Sequence, residues 1–185
     1  MYDSLQCLAS CSATFSKNAK EEQMAEAFLY EPVLIELKRL FESVGVVASL
    51  EITATTGASD KVAQAIVPGL EILFAFLSSN KPDILGVDDK RRWIVAEIKD
   101  GGLGLEDVYQ AKKYKELFSA PFGFLVTAAP IPTRLRRLCE VRHSILRSSD
   151  DYCAFLVLAQ FDPGRRNFVD WFPDNPFNQP AYYFH

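Results

Sequence analysis

Two short stretches hold the residue types that do chemistry: Pro82-Asp83-Ile84-Leu85 and, with its glutamate fourteen positions after Asp83, Glu97-Ile98-Lys99. Metal-assisted cleavage of a phosphodiester needs two carboxylates and an ammonium, and burying such groups is costly unless they pair or bind an ion. In an extended strand, Trp93, Val95, Glu97 and Lys99 face one way and Ile94, Ala96 and Ile98 the other. Glu97 and Lys99 therefore share a face, and a hairpin returning from residues 82–87 would set Asp83 beside Glu97. Close carboxylates repel and push one pKa up. A bound Mg²⁺ or Mn²⁺ would remove that penalty, polarise a phosphoryl oxygen and activate a water. Lys99 would then orient that water or neutralise the charge that develops on phosphorus.

The elements that must position these groups follow from periodicity. Residues 1–18 show no period and read as a loose arm. A helical pattern starts near Ala19, with Met24 and Phe28 in phase, and Val33, Leu37, Leu40 and Val44 form a stripe ending at Gly45. Pro32 either begins a new helix or kinks this one. Val46 to Thr53 reads as a strand, Thr55 to Asp60 as a polar turn, and Leu70 to Leu77 as a short apolar run of strand or helix. Pro82 to Val87 and Arg92 to Lys99 make a hairpin around Asp88-Asp89-Lys90. Then come a glycine loop at 101–104, a helix over Glu106 to Phe118, a buried strand over Phe122 to Ala128, a basic helix over Thr133 to Arg147 and a strand over Ala154 to Phe161. This order predicts one three-layer α/β domain over 19–165, a mixed central sheet flanked by helices. Residues 166–185, rich in aromatics and proline, read as a tail that lies over the body or meets a partner.

Composition bounds the function. The chain has 185 residues, and its 49% hydrophobic content is enough to bury a layered core. The net charge of −4 hides an asymmetry: residues 1–89 hold 6 basic and 13 acidic side chains, residues 90–147 hold 12 and 6, and residues 148–185 hold 2 and 5. A basic middle third points to nucleic acid, although a solvated helix face has the same composition. Cys7, Cys11, Cys139 and Cys153 are too scattered for a disulfide framework and fit reduced thiols in the cytoplasm. No run reaches the roughly 18 apolar residues of a membrane span. Leu8-Ala9-Ser10-Cys11 is a small-residue box without the basic and apolar segments of a signal sequence before it.

Asp83, Glu97 and Lys99, set on a hairpin after an N-terminal helix, resemble the PD-(D/E)xK nuclease superfamily, which has the restriction-endonuclease-like fold; the resemblance covers roughly residues 20–128. Gln110 and Tyr114, four apart on the following helix, resemble the QxxxY motif of the RecB-type branch. The resemblance implies Asp83, Glu97 and the Ile98 carbonyl as ligands of Mg²⁺ or Mn²⁺, Lys99 and Gln110 as catalytic groups, and Tyr114 and Lys113 against the DNA backbone. It also implies an acid from the first helix, for which Glu36, at the edge of the Val33/Leu37/Leu40 stripe, is the choice over Glu31 and Glu26. The expected activity is hydrolysis of DNA by a metal-activated water, leaving a 5′-phosphate, with a homodimer where both strands of a duplex are cut. With only Cys139 and Cys153 late in the chain, no iron–sulfur cluster is expected.

Each residue also has an ordinary role. Asp after proline is common turn chemistry, Glu97 and Lys99 could end a half-buried strand, and Tyr114 could be the rim of a core. Gly101, Gly102 and Gly104 fit a flexible loop and lack a nucleotide-binding fingerprint. His143 stands alone in the basic helix. A second function class is accordingly a catalytically silent, nuclease-like module that binds DNA or serves in an assembly. A third is a small-molecule-binding α/β domain, which would need a deep pocket.

Overall fold

The computed structural model describes residues 26–56, 81–147 and 155–179. The arm at 1–18, the start of the first helix, the apolar run at 70–77 and Cys7, Cys11 and Cys153 lie outside the described residues.

Residues 26–43 form one helix, α1, which runs through Pro32 without interruption. Leu29, Val33, Leu37 and Phe41 recur at i, i+4, i+8 and i+12, and all four are buried against the sheet. Gly45, with φ of +77°, ends the segment in the left-handed conformation that glycine adopts without penalty. β1 (Ala48–Ile52) and the single turn α2 (Thr53–Thr56) follow.

β2 (Ile84–Asp88) and β3 (Trp93–Lys99) form the expected antiparallel hairpin, with Ile84 opposite Ala96 and Val87 opposite Trp93. β4 (Phe122–Thr127) and β5 (Leu156–Asp162) are parallel to β3. Parallel neighbours need crossovers. Two helices supply them: α3 (Leu105–Leu117) joins β3 to β4, and α4 (Thr133–Val141) with a 3-10 turn at His143–Ile145 joins β4 to β5. β6 (Asn167–Phe172) pairs antiparallel with β5, and the six strands stand in sequence order.

The result is a mixed α/β fold with a central sheet flanked by helices. Ile84, Ile94, Ala96, Ile98, Phe124 and Val126 face α1, while Leu125, Leu156 and Leu158 face α3 and α4. The aromatic tail differs from expectation. Residues 167–172 add a strand to the sheet, and Phe177 stacks on Phe124 at 6.1 Å and meets Phe41 edge-on at 5.2 Å. That segment is part of the core because it supplies the rings that close the outer layer over α1's end.

Among the described residues, no helix is long and apolar enough to cross a membrane.

Candidate functional site

The register of the hairpin explains the fourteen-residue gap. One step beyond Ile84–Ala96, antiparallel pairing sets Asp83 opposite Glu97. Asp83 is held there from both sides. Its carbonyl accepts the Thr53 N–H at 2.8 Å, the Thr53 hydroxyl donates to the Pro82 carbonyl, and its Oδ2 accepts the Ile98 N–H at 2.7 Å. The end of β3 is fixed in turn. The Ala128 N–H donates to the Lys99 carbonyl at 3.2 Å, and the buried Thr127 hydroxyl donates to the Gly101 carbonyl at 2.6 Å.

Glu97 lies on the α3 side of the sheet and is only 3% exposed. Its Oε1 accepts Gln110 Nε2 at 2.6 Å and lies 3.2 Å from Lys99 Nζ. Its Oε2 is buried and has no hydrogen-bond partner among the described residues. Lys99 also reaches Glu26 of α1 at 3.7 Å. The Tyr30 hydroxyl hydrogen-bonds Asp83, and Tyr114 hydrogen-bonds Gln110. Four elements thus meet at the C-terminal end of β3 in one buried polar cluster.

Its electrostatics follow from burial. Desolvation, then the charge of Asp83, raise Glu97 to about 8 against the pull of Lys99, and burial raises its neighbour Asp83 as well, so the two carboxyls titrate as a pair shifted toward the protonated form. Asp83 is raised by burial too, opposed by the Ile98 N–H, Lys99 and Tyr30. Glu26 is raised by burial and by Asp83, against Lys99. For Lys99, burial acts downward, but Glu97, Glu26 and Asp83 outweigh it and the ammonium is held in its charged form.

The structure therefore brings Asp83, Glu97, Lys99, Gln110 and Tyr114 together and corrects the chemistry expected of them. Among the described residues, no group of three or more His, Cys, Asp and Glu side chains is placed to hold a metal ion. Asp83 is committed to the Ile98 N–H, Glu97 Oε1 to Gln110 and Lys99, and the cation of the site is the Lys99 ammonium itself. Ile98 contributes its N–H, donated to Asp83. Glu36 stands apart, its two oxygens each 2.7 Å from Arg39. The Mg²⁺ or Mn²⁺ site, and with it the expected metal-dependent deoxyribonuclease, hydrolase and metal-binding assignments, are overturned by this arrangement.

The acid that α1 does supply is Glu26, with Tyr30. Both continue the Val33 and Leu37 stripe backwards at helical spacing, and that signal was present in the sequence. Treating Pro32 as a helix start or kink cut the stripe one turn short of them.

Tyr114 is buried, whereas Lys113 is exposed with its ammonium 4.4 Å above the Tyr114 ring. On the outer side of α3, Tyr109, Lys112, Lys113, Glu116 and Leu117 line an open hollow of about 520 Å³. Lys112 bridges to the Ser144 carbonyl at 2.7 Å and to Glu116 at 3.7 Å. Arg136 of α4 pairs with Asp170, and Arg147, beyond the 3-10 turn that follows α4, lies over the Phe155 ring. His143 is exposed and Cys139 is a buried free thiol. No protein-family model, curated protein or solved structure matches the chain.

Proposed function

We propose that the chain is a catalytically silent, nuclease-like module that acts by binding DNA. The observation that carries this reading is the commitment of Asp83 to the Ile98 N–H and of Glu97 to Gln110 and Lys99, which makes their cluster a clamp between layers. The resemblance of the hairpin and the helix after it to PD-(D/E)xK nucleases supports a restriction-endonuclease-like ancestry for the fold. The basic middle third supports an anionic partner. DNA contact falls to the outer side of α3, where the half-exposed Tyr109 ring lines the same open hollow as Lys112 and Lys113 and offers a stacking surface. The buried free thiol of Cys139 fits work in a reducing cytoplasm.

Fluorescence anisotropy with labelled single-stranded and duplex DNA tests the reading. Binding should weaken as salt rises, because lysine–phosphate contacts release counterions, and Lys113→Glu and Tyr109→Ala should each lower affinity. The DNA should stay full length in millimolar Mg²⁺. Cleavage lost in Asp83→Asn would refute silence, and absence of binding at low salt would refute DNA as the partner.

A further inference from the structure

Eight large apolar side chains are exposed among the described residues, and four of them lie on two helix faces. On α1, Phe28 (55% exposed) and Ile35 (58%) stand at i and i+7 with exposed Glu31 between them, opposite the buried Leu29/Val33/Leu37 stripe. On α4, Leu138 (39%) and Val141 (77%) stand beside exposed Arg134 and Arg137 at i, i+3, i+4 and i+7, opposite the buried Leu135 and Cys139. Each face is a helical apolar patch carrying charge. The charges differ in sign. Of the four glutamates in residues 26–43, Glu26 is held by Lys99 and Glu36 by Arg39, which leaves Glu31 and Glu42 beside Lys38, whereas the α4 face carries Arg134 and Arg137, with Arg136 held by Asp170. α1 and α4 also cover opposite faces of the sheet, so the two patches cannot meet within one chain.

We infer that the α1 face of one copy of this chain docks on the α4 face of the next, with Phe28 and Ile35 packing against Leu138 and Val141, and Glu31 meeting Arg137 or Arg134. Such contact is heterologous: each copy keeps one free face of each kind, and association continues past the dimer. α4 has nine residues and is about 13 Å long at 1.5 Å per residue. A contact of that length buries less than the roughly 1,200 Å² of a stable complex. The association is therefore weak and concentration-dependent. It does not depend on the DNA reading, whose surface lies on α3.

Sedimentation of the full chain over a range of concentrations is the test. The weight-average mass should rise with concentration and pass that of a dimer. Phe28→Asp and Leu138→Asp should each abolish this growth. An equimolar mixture of the two should give a species of two chains and nothing larger, because one intact α1 face and one intact α4 face remain. If either variant fails to fold, Arg137→Glu replaces it: association should drop at least tenfold and return when Glu31→Arg is added to the same chain. A wild-type chain that stays monomeric at every concentration, or a mixture that recovers no dimer, overturns the proposal. So does an Arg137→Glu chain that loses DNA binding with its sedimentation unchanged, which would assign the α4 face to nucleic acid.

Discussion

The two ends of the β2–β3 hairpin each bury an aspartate, and they use it differently. At the turn, Asp88 accepts the N–H groups of Lys90 at 3.0 Å and Arg92 at 2.7 Å, and its other oxygen takes the Arg92 guanidinium at 2.7 Å. One carboxylate meets one cation and two backbone donors, and nothing is left over. At the far end, Glu97 and Glu26 share the ammonium of Lys99 while Asp83 is met by the Ile98 N–H, and Glu97 Oε2 is left without a partner among the described residues. The first end does what a tight turn requires. The second gathers more acid than the ammonium of Lys99 offsets, and burial pushes its carboxyls toward the protonated form.

Removing the cation should separate the two ends most sharply. Lys99→Met leaves three acids facing one another in a buried site and should cost about 3–5 kcal/mol in urea unfolding.

Asp88→Ala should cost about 2 kcal/mol, because a buried charged acceptor is lost and two N–H groups are orphaned. The same urea titration measures it, and a larger loss than that of Lys99→Met would reverse the ranking of the two ends.

The proton on Glu97 gives a pH signature. Its folded value, about 8, lies above the ordinary 4.5, so the native state retains a proton that the unfolded chain releases between those values. The stability tied to Glu97 is therefore fully present below about pH 4.5 and falls as pH rises to about 8. Glu97→Gln should flatten that decline and make the protein more stable than wild type at pH 8. Unfolding midpoints measured at several pH values decide it, and an unchanged slope would show that Glu97 is not the group that holds the proton.

Millimolar Mg²⁺ should leave the thermal midpoint of the wild type unchanged, because the cluster already contains its cation. The smallest effect belongs to the turn, where Arg91 has φ of 62°. Arg91→Gly should gain about 1 kcal/mol by relieving the left-handed strain of a side chain with a Cβ.

Much of the site was legible because strand alternation and hairpin pairing are short-range rules. Asp83, Glu97 and Lys99 fall together from a two-residue period and a turn at Asp88, whereas Gln110 enters only through the resemblance to the QxxxY motif. Glu26 ranks below Glu36 in the sequence and Tyr30 does not stand out there, because the apolar stripe used to choose between the acids begins only at Val33, after Pro32. Glu36 was chosen for its place beside the apolar stripe, but Arg39, three residues on, claims both its oxygens. The tail was misjudged for a related reason. Phe168, Trp171 and Phe177 are aromatic whether they wait for a partner or fill a core, and only pairing with β5 distinguishes the two.

By itself, the sequence determined the layers, the hairpin and which charged side chains would meet at the end of β3, since periodicity and turn chemistry act over a few residues. Only the tertiary structure decided what those charges do there. Whether two carboxylates are ligands or parts of a clamp depends on which donors reach them, and those donors come from α1, α3 and the neighbouring strand, whose approach no local pattern records.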